Sequence, residues 1–437
     1  MRKLFALVFG FGSAIGAYAQ TNIEFQEYDL ENGLHVILHE DHSTPIVAVS
    51  VLYHVGSKNE NPGRSGFAHF FEHLMFEGSP NIERGEFMKI VQTNGGALNA
   101  NTSFDRTFYY EILPSNQLEL GLWLESERML QATVDIEGVE TQREVVKEEK
   151  RLRIDNQPYM SFQAEMFGRA FEDHPYEITP IGTMEDLNAA EIADFKDFYE
   201  TFYVPNNATL SIAGDIDPDE AKELIEKYFG PIAKGANEIP RPNPEVELLT
   251  SEITDTVYDN IQLPALFFGY RIPEQGTKDA YAIDMLTTLL SDGQSSRFYK
   301  KLVDEDQLGL AVQAFPFGLE NGGIFITLGI ANMGVDLEDL KAGIDTEVSK
   351  VRNELISEKE YEKVLNQLEN DFVSQNSTMA GIAESLANYH VYFDDANLIN
   401  TEIEKYRTVT REDLQAAAQK YLTEQNRVVL YYLPNQQ

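Results

Sequence analysis

Between residues 23 and 56 apolar and polar positions alternate with the period of two that a half-buried strand requires. Three strands are expected there: Ile23 to Leu30, Leu34 to His39 after a turn at Asn32-Gly33, and Ile46 to Val55 after a turn at Ser43-Thr44-Pro45. The pattern then changes period. From Gly66 to Gly78, phenylalanine, leucine or methionine stands at 67, 70, 71, 74, 75 and 76, on every quarter of a helical wheel. This predicts a buried three-turn helix, capped by Ser65 and stopped by Gly78-Ser79-Pro80. A further helix is expected over Ile82 to Asn94, then a strand pair from Ala97 to Leu113 turning near Phe104-Asp105, and helices over Leu118 to Val134 and Val139 to Asp155. Asn188 and Glu191 form a capping box for a helix ending at Phe202, followed by a strand over Ala208 to Ala213 and a helix over Asp217 to Tyr228.

Residues 233–246 hold Gly235, Pro240, Pro242 and Pro244 with little apolar content, the composition of a proline-stiffened linker. Beyond it the pattern repeats. Pro264 to Tyr270 resembles Pro45 to Val51, Ala280 to Gly293 takes the place of the helix at 66–78, and Thr410 to Tyr421 with Val428 to Tyr432 mirrors the capped helix and strand at 188–213. A spacing this long exceeds any solenoid repeat and points to two duplicated domains, 20–232 and 247–437.

Polar residues inside the apolar helix carry the chemistry. His69 and His73 are four apart and share one face, and Glu72 projects from its flank. Buried without partners, such groups cost about 1–3 kcal/mol each, and an ionised carboxylate costs more. A divalent metal removes that cost. The order H-x-x-E-H supplies two imidazole ligands for zinc and a carboxylate placed to act as a base on water. A catalytic zinc takes three protein ligands, and the helix at 139–155 offers Glu140, Glu144, Glu148 and Glu149 as the third. Glu149 continues the stripe of Val145, Val146 and Leu152, whereas Glu148 also faces Glu144 and Arg151; helical packing favours Glu149 over Glu148 without eliminating it. In the second half Asp284, Thr287 and Thr288 stand where His69, Glu72 and His73 stood, so no second copy of this centre is expected.

Composition narrows the setting. With 34 basic and 72 acidic residues the chain carries a net charge of −38, which repels phosphate backbones and anionic lipid and excludes nucleic acid as an expected partner. Arg2 and Lys3, the apolar run Leu4 to Ile15 and Ala17-Tyr18-Ala19 read as a secretory signal over 1–19, cleaved after Ala19. No later run of about eighteen apolar residues exists, so stable membrane insertion is not expected and an exported destination, periplasm or medium, is. There are no cysteines, which leaves histidine, aspartate and glutamate as the metal ligands available.

His69-Phe70-Phe71-Glu72-His73, followed 76 residues later by Glu149 within Arg143-Glu144-Val145-Val146-Lys147-Glu148-Glu149, resembles the pitrilysin and mitochondrial processing peptidase family of zinc endopeptidases. The resemblance extends over essentially the whole chain after the signal. It implies one Zn2+ held by His69, His73 and Glu149, with Glu72 as catalytic base. It also implies an α+β fold: two duplicated domains, each a mixed, mainly antiparallel sheet covered by helices, facing each other across a chamber. Asn99-Ala100-Asn101-Thr102-Ser103 matches the family's edge strand, so Asn99 and Ala100 are expected to bind an extended peptide substrate through their main chain.

Two departures qualify the match. Gln142 stands where the family usually carries a glutamate that supports the metal site. The arginine and tyrosine, seven apart, with which self-sufficient members grip substrate from the second domain are also missing: alternative alignments place Val303 and Leu310, or Glu305 and Val312, at those positions. Arg297 and Tyr299 lie nearby in a stretch whose expected role is structural. The resemblance therefore implies the metal-bearing subunit of a heterodimer, completed by a homologous subunit without the metal. The alternative is a non-catalytic member that binds peptide or serves assembly. The histidines at 35, 39, 42, 54, 174 and 390 lack ligand spacing to one another, His35 and His39 being too far apart on one strand, and all six are expected to be structural.

Overall fold

The computed structural model describes residues 22–435, so the signal segment expected over 1–19 lies outside the described residues. Eleven strands build two sheets. The first contains β1 (Gln26–Asp29), β2 (His35–Glu40), β3 (Ile46–Tyr53), β4 (Ala97–Thr102), β5 (Thr107–Pro114) and β6 (Ala208–Gly214), in the order β1-β2-β6-β3-β5-β4. The second contains β7 (Ile253–Asp259), β8 (Ala265–Ile272), β9 (Gly309–Leu319), β10 (Gly322–Ala331) and β11 (Arg427–Pro434), in the order β7-β11-β8-β10-β9. In each sheet one parallel pair, β2 with β6 and β7 with β11, joins an otherwise antiparallel set. Five strands therefore match in order and direction, and β1 is an addition to the first sheet.

Helices of the first half are α1 (Phe67–Leu74), α2 (Glu86–Thr93), α3 (Leu118–Gln131), α4 (Ile136–Lys150), α5 (Phe162–Ala170), α6 (Met184–Ala189), α7 (Ile192–Phe202) and α8 (Pro218–Phe229). Those of the second are α9 (Lys278–Ser291), α10 (Leu337–Asn353), α11 (Glu358–Gln375), α12 (Met379–Phe393), α13 (Leu398–Thr408) and α14 (Arg411–Tyr421). The fold is α+β, two mixed sheets covered by helices. No helix or strand occurs between Phe229 and Ile253. Among the described residues no helix is long and apolar enough to cross a membrane.

The central strands of each sheet are covered on both faces, and the halves exchange helices to achieve it. On one face of the first sheet Val36, Leu38, Val47, Val49, Leu210 and Ile212 pack with α1, α3, α7 and α8. Its other face, at Ile37, Ala48 and Ala213, is covered by Met379, Ile382, Ala383 and Leu386 of α12, which belongs to the second half. The second sheet receives Met166, Phe167 and Ala170 of α5 from the first half against Phe267, Ile326 and Leu430. Central strands accordingly lose the expected alternation: β6 is buried at every position and β3 at all but Ile46.

Two helix starts differ from the sequence expectation. Glu191, not Asn188, caps α7, and its box partner is Asp194, because Asn188 is taken up within α6. Helix α1 is two turns long instead of three, and Ser65 does not cap it.

At the positions of α9 that match His69, Glu72 and His73, the side chains are hydrogen-bonded within the second half. Asp284 on α9 is half-buried and accepts the Tyr406 hydroxyl at 3.1 Å, beside Glu402, to which Tyr281 and Tyr389 donate. Thr287 and Thr288 return their hydroxyls to the carbonyls of Ile283 and Asp284. Burial raises the Asp284 carboxyl pKa from 3.8 to about 7. The folded chain thus holds this proton where the unfolded chain has released it, and stability present below 3.8 is lost as pH rises through 7. Asp284→Asn keeps an acceptor for Tyr406 and removes the charge. Its stability relative to wild type is expected to be higher at pH 8 than at pH 5 by about 2 kcal/mol, measured by urea unfolding; an equal difference at both pH values would contradict this.

Candidate metal centre

The start of α1 is built around a half-buried carboxyl group. Glu60 accepts the backbone N–H groups of Gly66 and Ala68, each at 2.8 Å, and so satisfies orphan donors of the helix from outside it. Burial pushes its carboxyl pKa up to about 8, although these N–H groups favour the ionised form. Gly66 has φ +89°, and a Cβ there would meet the Ile181 carbonyl oxygen at 3.0 Å, so the position requires glycine. Ser65 instead donates its hydroxyl to Asp186 at 2.5 Å, tying the loop to α6.

Aromatic packing then orients the helix. Phe67 and Phe70 each lie 4.6 Å from Phe195, centroid to centroid, and Phe71 lies 5.0 Å from Tyr203. The Tyr109 hydroxyl donates to the Phe71 carbonyl at 3.1 Å. With these faces committed to α7 and β5, His69, Glu72 and His73 are left half-buried on the remaining one. The packing contacts of α1 with α4, β4 and β5 all come from the first half.

Helix α4 delivers the third group. Capped by Asp135, which accepts from Gly138 N–H at 2.8 Å, it ends in a wider π-type turn over Arg151–Asp155. In its last turn the Glu149 carboxylate lies 3.2 Å from His73 Nε2 and 3.7 Å from His69 Nε2. Ligand atoms of the three residues all fall within 4.8 Å of one another. The other candidates point elsewhere: Glu140 pairs with Arg143, Glu144 with Lys147 and Glu148 with Arg151.

This donor set fits zinc. Ligand atoms of a tetrahedral zinc with bonds of about 2.1 Å are about 3.4 Å apart, and the observed separations bracket that value. Burial and the neighbouring His73 lower the His69 pKa to about 4, so this ring is a neutral donor, and its Nδ1 is buried without a hydrogen-bond partner. The hydrogen bond with His73 lowers the Glu149 pKa and keeps it ionised.

Glu72 sits between this group and the sheet edge. Thr102 Oγ1 donates to Glu72 Oε2 at 2.7 Å, while burial raises the Glu72 pKa. Thr102 ends β4, which pairs with β5 on one side only and alternates between exposed and half-buried residues. Asn99 and Ala100 lie on this edge strand, opposite Tyr110 and Tyr109. Gln142 contacts none of the three ligand candidates by hydrogen bond; its Nε2 donates to Glu77 at 2.5 Å, and Glu77 also pairs with Arg84.

Sequence reasoning assigned no role to Glu60, Thr102 or Glu77. Thr102 lay within a segment already singled out; for Glu60, six residues before Gly66, no local signal exists. In the second half Arg297 is held by both carboxylate oxygens of Glu360, at 2.9 and 3.1 Å, and Glu305 pairs with Lys301.

Comparison with known proteins follows the same division. Residues 35–182 match the family model described as Insulinase (Peptidase family M16), and residues 189–368 match that of the Peptidase M16 inactive domain. The chain is 32% identical over 409 residues to the zinc protease PqqE of Helicobacter pylori, covering 93% of this chain and 92% of that protein. It resembles the crystal structure of a protease from Helicobacter pylori with a TM-score of 0.89 at 30% identity, covering 94% of this chain and all of that one. It also shares its fold with the periplasmic protease PqqL from Escherichia coli, with a TM-score of 0.76 at 20% identity, covering 94% of this chain and 48% of that one.

Proposed function

Because the chain belongs to peptidase family M16, we propose that it is a zinc-dependent endopeptidase acting on extended peptides or unfolded segments, and the catalytic subunit of a heterodimer. The observation that carries the reading is the convergence of His69, His73 and Glu149 beside an edge strand bonded to Glu72. His69, His73 and Glu149 hold the metal; zinc, when bound there, supplies Lewis-acid polarisation of the scissile carbonyl and a water whose pKa falls to about 7. Glu72 takes the proton of the attacking water and returns it to the leaving amine. Thr102 fixes the Glu72 oxygen that faces the sheet. The free edge of β4 at Asn99 and Ala100 aligns the peptide by main-chain pairing, which selects for an extended backbone more than for sequence. Gln142 steadies Glu77 where the chain leaves α1.

Several observations support division of the active site between subunits. The centre is built wholly by the first half, Arg297 is committed to Glu360, and the chain spans about half the length of PqqL. In this reading, domains 20–232 and 247–437 joined by 233–246 form one subunit, exported after cleavage at Ala19 to the periplasm or medium. The name of PqqL as a periplasmic protease is consistent with that destination.

Hydrolysis of a quenched peptide library by the mature, zinc-loaded chain, alone and mixed with a metal-less homologous subunit, tests it. Turnover only in the mixture is expected. Full turnover by the chain alone would remove the heterodimer, and none in either case would favour the non-catalytic peptide-binding alternative.

A further inference from the structure

Three side chains remote in sequence meet on the face of the first sheet that α12 covers. Pairing of β1 with β2 sets Asp29 opposite His35 and Glu27 opposite Ile37, so all four share one face, with Glu27 diagonal to His35. Ile37 packs against α12 on that face. Near the end of α12, His390 lies flat upon His35, ring centroids 3.5 Å apart and planes 1° from parallel.

The polar atoms around this stack are incompletely matched. His35 Nδ1 lies 2.8 Å from Asp29 Oδ1, and an ionised carboxylate can only accept, so the ring donates from Nδ1. In the neutral ring Nε2 then carries a lone pair. That Nε2 is buried without a hydrogen-bond partner, and a Glu27 oxygen, itself an acceptor, stands 3.5 Å from it. Two facing acceptors with nothing between them are unfavourable. A carboxylate that fixes the tautomer of an imidazole whose other nitrogen is free is also the arrangement that orients histidine toward a metal. Ligand atoms of Glu27, His35 and His390 lie within 4.8 Å of one another, and among the described residues the only other such group is His69, His73 and Glu149.

We propose that Glu27, His35 and His390 form a second site for a divalent cation of the zinc type, which clasps α12 of the second half to β1 and β2 of the first. Asp29 is its positioning residue. The donor set, two imidazoles and one carboxylate, suits zinc over calcium or magnesium, which take oxygen ligands. Strand β1 is the one strand of the first sheet without a counterpart in the second, so the extra strand brings both Glu27 and Asp29. Parallel rings direct their lone pairs side by side; loading the site turns the two imidazole planes apart so that they converge. The cation would join the halves beside the apolar contacts of α12 and its Arg106–Glu384 ion pair, and its role is therefore structural.

The test is zinc binding by a His73→Ala/Glu149→Gln chain, in which the first group is lost, measured by equilibrium dialysis against zinc alone. One equivalent per chain is expected, together with a rise in melting midpoint of about 2–4 °C, both abolished by adding His390→Gln. No uptake, or uptake that survives His390→Gln, would overturn the proposal. Should the double variant not fold, the same count applies to the otherwise unaltered chain. Two equivalents falling to one on His390→Gln support the site; one equivalent in both forms overturns it.

Discussion

Glu72→Gln is expected to leave the zinc content of the mature chain unchanged and to lower peptide hydrolysis, assayed in the mixture with the metal-less homologous subunit, by about 10²–10⁴-fold, the range that a positioned general base contributes. Glutamine has the same shape and can still accept the Thr102 hydroxyl, found at 2.7 Å from Glu72 Oε2. It cannot take a proton from water. Since Glu72 does not belong to the group formed by His69, His73 and Glu149, metal affinity and chemistry should separate cleanly. Metal analysis and quenched-peptide hydrolysis on the same preparation check both halves of this expectation. Turnover within tenfold of wild type would assign the base to another group; loss of zinc would mean that Glu72 is a ligand.

The second large effect concerns the support beneath α1. Arg128 of α3 is wholly buried, with Glu125 at 2.9 Å and Glu111 at 3.5 Å, both equally buried. Its guanidinium lies 4.4 to 4.7 Å from the ring centroids of Tyr109, Phe76 and Phe87. Burial and the neighbouring Glu125 push the Glu111 carboxyl well up, while Arg128 opposes that shift. Arg128→Met leaves two carboxyl groups in the core without a cation, and removal of one partner of such a cluster costs about 3–5 kcal/mol. Urea unfolding should show that loss. Adding Glu111→Gln and Glu125→Gln should recover most of it, because the uncompensated charge is then gone as well. A loss of less than about 1 kcal/mol for Arg128→Met would show that the cluster is already neutral without the arginine. Tyr109 also bonds the Phe71 carbonyl, so the single variant is expected to loosen the metal helix before the chain unfolds.

Much of this protein is readable from local pattern. The grouping of His69, Glu72 and His73 on one helix was legible because an apolar helix tolerates two histidines and a glutamate only with a use for them, and because four residues bring two rings to one face. Glu149 was favoured among four glutamates by the stripe it continues, and the structure turns the other three toward Arg143, Lys147 and Arg151. The repeat at Pro264 to Tyr270 reappears as β8, which occupies the position of β3 in a sheet of the same order. Helix caps were less legible. Ser65 has the right chemistry for an N-cap, but a carboxylate six residues before Gly66 takes that place and Asp186 claims the serine. The choice rests on which acceptor the loop folds back to present, and composition does not encode it.

The sequence by itself determined the chemistry at hand and the periodic elements that carry it: three donor types, their spacing on two helices, and a second half stripped of them. These are properties of residues close along the chain, where helical and strand geometry convert spacing into direction. Only the tertiary structure decided what meets across hundreds of residues. It set Glu149 against His73, lent α5 and α12 to the opposite sheets, and laid His390 on His35. Such contacts follow from how buried faces are shared between halves, a balance summed over the whole core that no window of sequence contains.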